Sequence, residues 1–176
     1  MKKLKALFLV MAALAVTTMF TSCEAFAKAL SDTMSGPMKV QVMNRCPISK
    51  INDMIAIKVS IYEVDSNYAN PSLKKAGDFT LRTYSSSSNS GNTQDFDITL
   101  EAGQTYKVVV ENKTASSSFN SFTCEFVAAA GASKGYVNND HLDCFIPTGY
   151  NTYKINLYNT SGSKFQFVIE KEAIPR

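Results

Sequence analysis

Eight stretches of this chain alternate apolar and polar residues one for one, which is the period of a strand with one buried and one wet face. They are built on Val40 and Val42; Ile55, Ile57, Val59 and Ile61; Phe79 and Leu81; Phe96, Ile98 and Leu100; Tyr106, Val108 and Val110; Phe122, Cys124 and Phe126; Tyr153, Ile155 and Leu157; and Phe165, Phe167 and Ile169. Past residue 38 no segment sustains the helical period, and Ala128-Ala129-Ala130 is too brief to do so. Turn residues separate the stretches. Gly103 is free to take a positive φ in Glu101-Ala102-Gly103-Gln104, and residues 159–163 do the same work for the last hairpin. The Ser-, Asn- and Gly-rich residues 85–92 and the run Ser116-Ser117-Ser118 read as surface loops that bury nothing. The pattern predicts an all-β fold, an antiparallel sandwich of about eight strands. Connections of very uneven length favour a sandwich over a closed barrel.

The first residues follow a different logic. Lys2, Lys3 and Lys5 precede an apolar run from Ala6 to Phe20, which is shorter than the roughly 20 residues that span a bilayer. A basic start, a short apolar core and small residues before a cut describe a secretory signal. Phe20-Thr21-Ser22-Cys23 resembles the lipobox of bacterial lipoproteins, with Phe20 where the strict form prefers Leu. Relaxed lipoboxes of this kind are similar to those of spirochaetes and Bacteroidetes. The resemblance implies removal of residues 1–22 and lipidation of Cys23, which would carry a diacylglycerol and an amide-linked acyl chain such as palmitate. Those chains suffice for stable membrane attachment. Glu24, rather than Asp, after the cysteine implies delivery to the outer membrane. Asp32-Thr33-Met34 resembles the O-glycosylation site of exported Bacteroidetes proteins.

The expected organisation is therefore a signal peptide over 1–22, a lipidated cysteine and flexible tether over 23–38, a sandwich over 39–172 and a tail over 173–176. Fifteen tether residues would reach about 50 Å from the membrane at ~3.3 Å each.

Ile57 to Asp65, followed by Leu100-Glu101-Ala102-Gly103-Gln104-Thr105-Tyr106 and its strand, resembles small immunoglobulin-like or transthyretin-like sandwiches. Those families often place a Leu-x-x-Gly-x-x-Tyr turn ahead of a core strand. The resemblance implies an architecture and no activity.

Charge and composition narrow the chemistry. Eighteen Lys and Arg oppose fifteen Asp and Glu, and loss of Lys2, Lys3 and Lys5 with the signal leaves fifteen of each. A near-neutral domain without a basic stripe is a poor nucleic-acid binder. His141 is the only histidine, and the chain has no Gly-x-Ser-x-Gly elbow. Asp95 and Asp97 are a carboxylate pair at glycosidase-like separation, but alternation on an exposed strand face accounts for them equally. The chain is expected not to be an enzyme and to need no cofactor beyond the lipid on Cys23.

Three cysteines remain after Cys23, and an oxidising compartment favours one disulfide among them. Cys124 with Cys144 would staple the long excursion between them; Cys46 with Cys124 is the second arrangement, and three free thiols the third. Asp140, His141 and Asp143, with Cys144 next to them, are candidate metal ligands, although their spacing matches no zinc or calcium motif. Outward aromatics at Tyr62, Tyr84 and Tyr158 would suit a glycan or protein if they shared one face.

The function expected from these features is a non-enzymatic, lipid-anchored envelope protein. It would act as an interaction module or accessory subunit of an outer-membrane or surface complex, with another envelope protein as partner. A surface module for glycans or host matrix is the first alternative, and a metal-binding protein centred on His141 the second.

Overall fold

The computed structural model describes residues 34–46, 54–83, 92–114, 123–130, 134–159 and 164–175. The expected signal peptide, Cys23, Tyr84 and most of the Ser-rich stretch lie outside those residues. Among the described residues nine strands form two packed sheets, so the chain is an all-β sandwich. The larger sheet contains β1 (Met38–Asn44), β4 (Thr93–Phe96), β6 (Thr123–Phe126), β8 (Asn151–Asn159) and β9 (Lys164–Ala173), in the order β4-β1-β8-β9-β6. The smaller contains β2 (Ile55–Val64), β3 (Ser72–Leu81), β5 (Thr105–Asn112) and β7 (Cys144–Phe145), in the order β3-β2-β5-β7.

Alternation places the core as expected. Ile55, Ile57, Val59 and Ile61 are each no more than 1% exposed, and their counterparts across the sandwich, Ile155, Leu157, Phe165, Phe167 and Ile169, are wholly buried. One continuous cluster joins the two inner faces. Its aromatic centre runs from Tyr106 to Phe145 to Tyr153, with ring centroids 5.8 and 5.0 Å apart.

Three details depart from the expectation. The sheets are not purely antiparallel: β1 runs parallel to β8, and β6 parallel to β9. A parallel neighbour needs a long crossover, and periodicity within a strand carries no information about which distant strand it joins. β3 begins at Ser72, well before the Phe79–Leu81 alternation, because its first half is an edge whose side chains are mostly exposed. β7 is two residues long, too short to carry a period.

Edges are handled without long apolar strands. β4, β6 and β7 are short, and the ten-residue edge β3 carries Lys74 and Lys75, a common guard against edge pairing. These lysines are tied back to Glu63 at 2.5 Å and Asp97 at 3.2 Å.

Two tyrosines brace the turns that lead into core strands. The Leu100-x-x-Gly103-x-x-Tyr106 turn closes with Gly103 at φ 80° and the Glu101 N–H donating to Tyr106 Oη at 3.0 Å. In the other sheet, Tyr153 Oη accepts from the Thr148 N–H at 3.2 Å and donates to the Ile146 carbonyl at 3.0 Å. Each bond meets a turn group that would otherwise lack a partner away from water.

The end of the expected tether is docked. The Gly149 N–H donates to the Met34 carbonyl at 3.1 Å, and a Cβ on Gly149 would collide with the Ser35 carbonyl. Residues 34–37 thus belong to the body, and glycine at 149 is what lets the chain approach so closely. The Ser-rich stretch also has one anchored end. Asn92 is wholly buried and exchanges bonds with the Asn44 backbone, against the expectation that residues 85–92 bury nothing.

Candidate functional site

The outer face of the larger sheet carries a polar cluster built by register. β8 and β9 pair antiparallel with Lys154 opposite Glu170, Asn156 opposite Val168 and Tyr158 opposite Gln166. Ile155, Leu157 and Ile169 point into the core, so Asn156, Tyr158 and Glu170 point out, and Glu170 lies diagonal to Asn156. β1 aligns Asn44 with Leu157, and the Arg45 N–H donates to the Leu157 carbonyl at 2.8 Å, which brings Arg45 beside the same cluster.

Glu170 is its hub. Asn156 Nδ2 donates to Glu170 Oε2 at 2.7 Å, Tyr158 Oη donates to Oε1 at 3.5 Å, and Arg45 Nη2 stands 3.8 Å from Oε2. Burial raises the Tyr158 hydroxyl above its ordinary pKa; the Arg45 charge opposes this and Glu170 adds to it. Lys154 pairs with Glu172 along the same rows. Arg45, Lys154, Glu170, Lys171 and Glu172 line a hollow of about 250 Å³.

Two groups in this cluster have unmet hydrogen-bonding capacity. Asn156 is wholly buried and its Oδ1 lacks a partner among the described residues, as does the buried Arg45 Nε. An unmet buried donor or acceptor costs about 1–3 kcal/mol. The arrangement offers one acceptor and one cationic donor beside a hollow with mixed charge. It suits recognition of a polar group.

The remaining sequence candidates fall elsewhere. Tyr62 projects from the outer face of β2 and Tyr158 from the outer face of β8, so they leave opposite sides of the sandwich. Asp95 accepts from Gln41 at 2.8 Å and Asp97 pairs with Lys75 at 3.2 Å. Each of these carboxylates meets a neighbouring strand.

The expected disulfide does not form: among the described residues, no two of Cys46, Cys124 and Cys144 are bridged. Register explains why. Cys144 lies opposite Lys107 near the start of β5, whereas Cys124 faces the Asn112 N–H at the end of β5, about 17 Å along the strand. Cys46 follows β1, and three strand spacings, about 14 Å, separate β1 from β6. A bridge needs Cα atoms within about 7 Å. Cys46 instead donates to the Leu157 carbonyl at 3.8 Å.

Of the four candidate ligands around His141, the structure gathers three. Donor atoms of His141, Asp143 and Cys144 all lie within 4.8 Å of one another, and Asp140 stands outside the group. Asn138 Oδ1 accepts from the Asp140 and His141 N–H groups at 2.9 and 3.1 Å, and the Cys144 N–H returns to the His141 carbonyl at 3.1 Å. Cys144 Sγ donates to Asp143 Oδ1 at 3.5 Å, while Lys107 Nζ holds Oδ2 at 3.4 Å. Burial, reinforced by the Asp143 charge, pushes the Cys144 thiol up to about 12. Tyr68 stacks on His141 with ring centroids 3.5 Å apart and planes at 19°. Tyr68 sits at φ 60° in a turn organised by Asp65, which accepts from the Asn67 and Ala69 N–H groups at 2.9 Å each.

Sequence reasoning missed Arg45, Asn156 and Glu170, because an outward polar residue in a strand reads as solvated. It also missed the stacking of Tyr68 on His141, since the two belong to loops far apart in the chain. Comparison with family models, with curated proteins and with solved structures finds no match to this chain, so what it does is argued from its own residues.

Proposed function

We propose that this chain is a lipid-anchored envelope protein that acts without catalysis, as an interaction module or accessory subunit of an outer-membrane or surface complex. The lipobox-like Phe20-Thr21-Ser22-Cys23 supports the anchor. The docking face is the outer surface of β1, β8 and β9, and the partner is another envelope protein.

One observation carries the choice of face: the buried Asn156 and the buried Nε of the half-exposed Arg45, next to the hollow, retain an unmet acceptor and an unmet donor. A partner loop that supplies an N–H or hydroxyl to Asn156 and a carboxylate or carbonyl to Arg45 would satisfy both. Such contacts give register and specificity more than raw affinity. Ten residues separate Cys23 from the docked Met34, so the body stays within roughly 35 Å of its anchor. The glycan or matrix reading has weaker support, because Tyr62 and Tyr158 do not share a face.

Photo-crosslinking in intact cells tests the face. A crosslinking residue at Lys154 or Glu172 is expected to give one discrete adduct with an envelope protein, and the same residue at Lys58, on the opposite sheet, none. Adducts from Lys58 alone, or from no position, would contradict the assignment.

A further inference from the structure

We propose that His141, Asp143 and Cys144 bind one zinc-class divalent cation, with Tyr68 and Lys107 holding the ligands in place. Nitrogen, oxygen and sulfur donors from a four-residue span converge within 4.8 Å of one another. Bond lengths near 2.0–2.3 Å put tetrahedral zinc ligands about 3.3–3.8 Å apart, so the most widely spaced donors need to close by about 1–1.5 Å. That mixed set suits borderline-soft zinc, whereas calcium and magnesium call for oxygen alone.

Every ligand is restrained from outside the triad. His141 is sandwiched against Tyr68 at 3.5 Å and its N–H is tied to Asn138. Cys144 is fixed in β7, with its N–H on the His141 carbonyl and its own carbonyl accepting from the Val137 N–H at 2.8 Å. Asp143 keeps Lys107 on Oδ2 and directs Oδ1 toward the thiol. A cation would take the place of the thiol hydrogen between Sγ and Oδ1. The Cys144 S–H bond breaks, a sulfur–metal bond forms, and the proton leaves to solvent; nothing is oxidised or reduced. Lys107 remains on Oδ2 as an outer partner that orients the carboxylate. Three protein ligands leave one position open for water or for a donor from another molecule.

Cobalt titration of the metal-stripped, full-length protein tests the site. One equivalent of Co²⁺ is expected to produce thiolate-to-cobalt charge-transfer absorption with tetrahedral d–d bands. One equivalent of Zn²⁺ should bleach both. Cys144→Ser removes the charge-transfer band. Cys23→Ala, Cys46→Ala and Cys124→Ser keep it. His141→Ala, which removes the ring stacked on Tyr68 at a partly buried loop position, should lower the melting temperature by only a few degrees and weaken cobalt binding by more than the roughly 10–100-fold typical of losing an outer partner. This variant decides the matter if Cys144→Ser fails to fold. Absence of the bands with wild-type protein, or unchanged binding in His141→Ala, would overturn the proposal.

Discussion

Phe167→Ala is expected to cost the domain about 3–5 kcal/mol, the usual range for deleting a buried aromatic ring. At about 4 °C per kcal/mol, that lowers the melting temperature by roughly 10–20 °C. Phe167 is wholly buried in the middle of β9, paired with Leu157 of β8 on one side and Phe126 of β6 on the other. Its ring also packs on Phe126 at 5.8 Å. Flanked by strands on both sides, the site has little freedom to collapse, so the cavity persists and the cost lies toward the upper end. Leu73→Ala on the edge strand β3 is the control. Leu73 is 55% exposed, and its loss should stay within about 0.5 kcal/mol. Urea or thermal unfolding of both variants checks the difference. Equal costs would mean that the inward parity of β9 is misassigned.

That parity was legible before any coordinates. The apolar residues at inward positions of the alternating runs in β1, β8 and β9 and in β2 and β5 are buried, because period two leaves only one way to hide an apolar face. Strand partners were not legible. Val40 lies beside Tyr153 in a parallel pair because the chain returns after more than a hundred residues, and nothing local to either strand encodes that meeting. The cysteines failed for the same reason. Cys124 and Cys144 are close in sequence and both inward in character, yet they sit at opposite ends of β5.

The candidate site was legible only in pieces. Tyr158 was singled out as an outward aromatic, and the structure shows its hydroxyl on Glu170. Asn156 looked like an ordinary solvent-facing residue, and only the cross-strand diagonal to Glu170 reveals that it is buried. Asp140, His141, Asp143 and Cys144 were chosen together for their chemistry, and Cys144 was also offered to a bridge. The turn through Asn138 is what brings the thiol to the other two.

Cys23→Ala carries the second large effect. The variant is expected to take up no clickable fatty acid and to be missing from the outer-membrane fraction, in which the proposed anchor would place the wild-type protein. Each buried methylene contributes about 0.8 kcal/mol to membrane binding, and one acyl chain alone gives only marginal, reversible attachment. Losing every chain at once would therefore remove the proposed anchor outright. Among the described residues, no helix is long and apolar enough to cross a membrane. Fatty-acid labelling and sucrose-gradient fractionation of wild-type and variant cells check this. Continued labelling of the variant, or its persistence in the outer membrane, would place the attachment elsewhere.

The most direct measurement is the intact mass of the wild-type protein extracted from its own membranes. A lipid-anchored envelope protein predicts a chain that begins at Cys23 and carries a diacylglycerol and one amide-linked acyl group. A mature chain that begins elsewhere without lipid, or one that still begins at Met1, would contradict it.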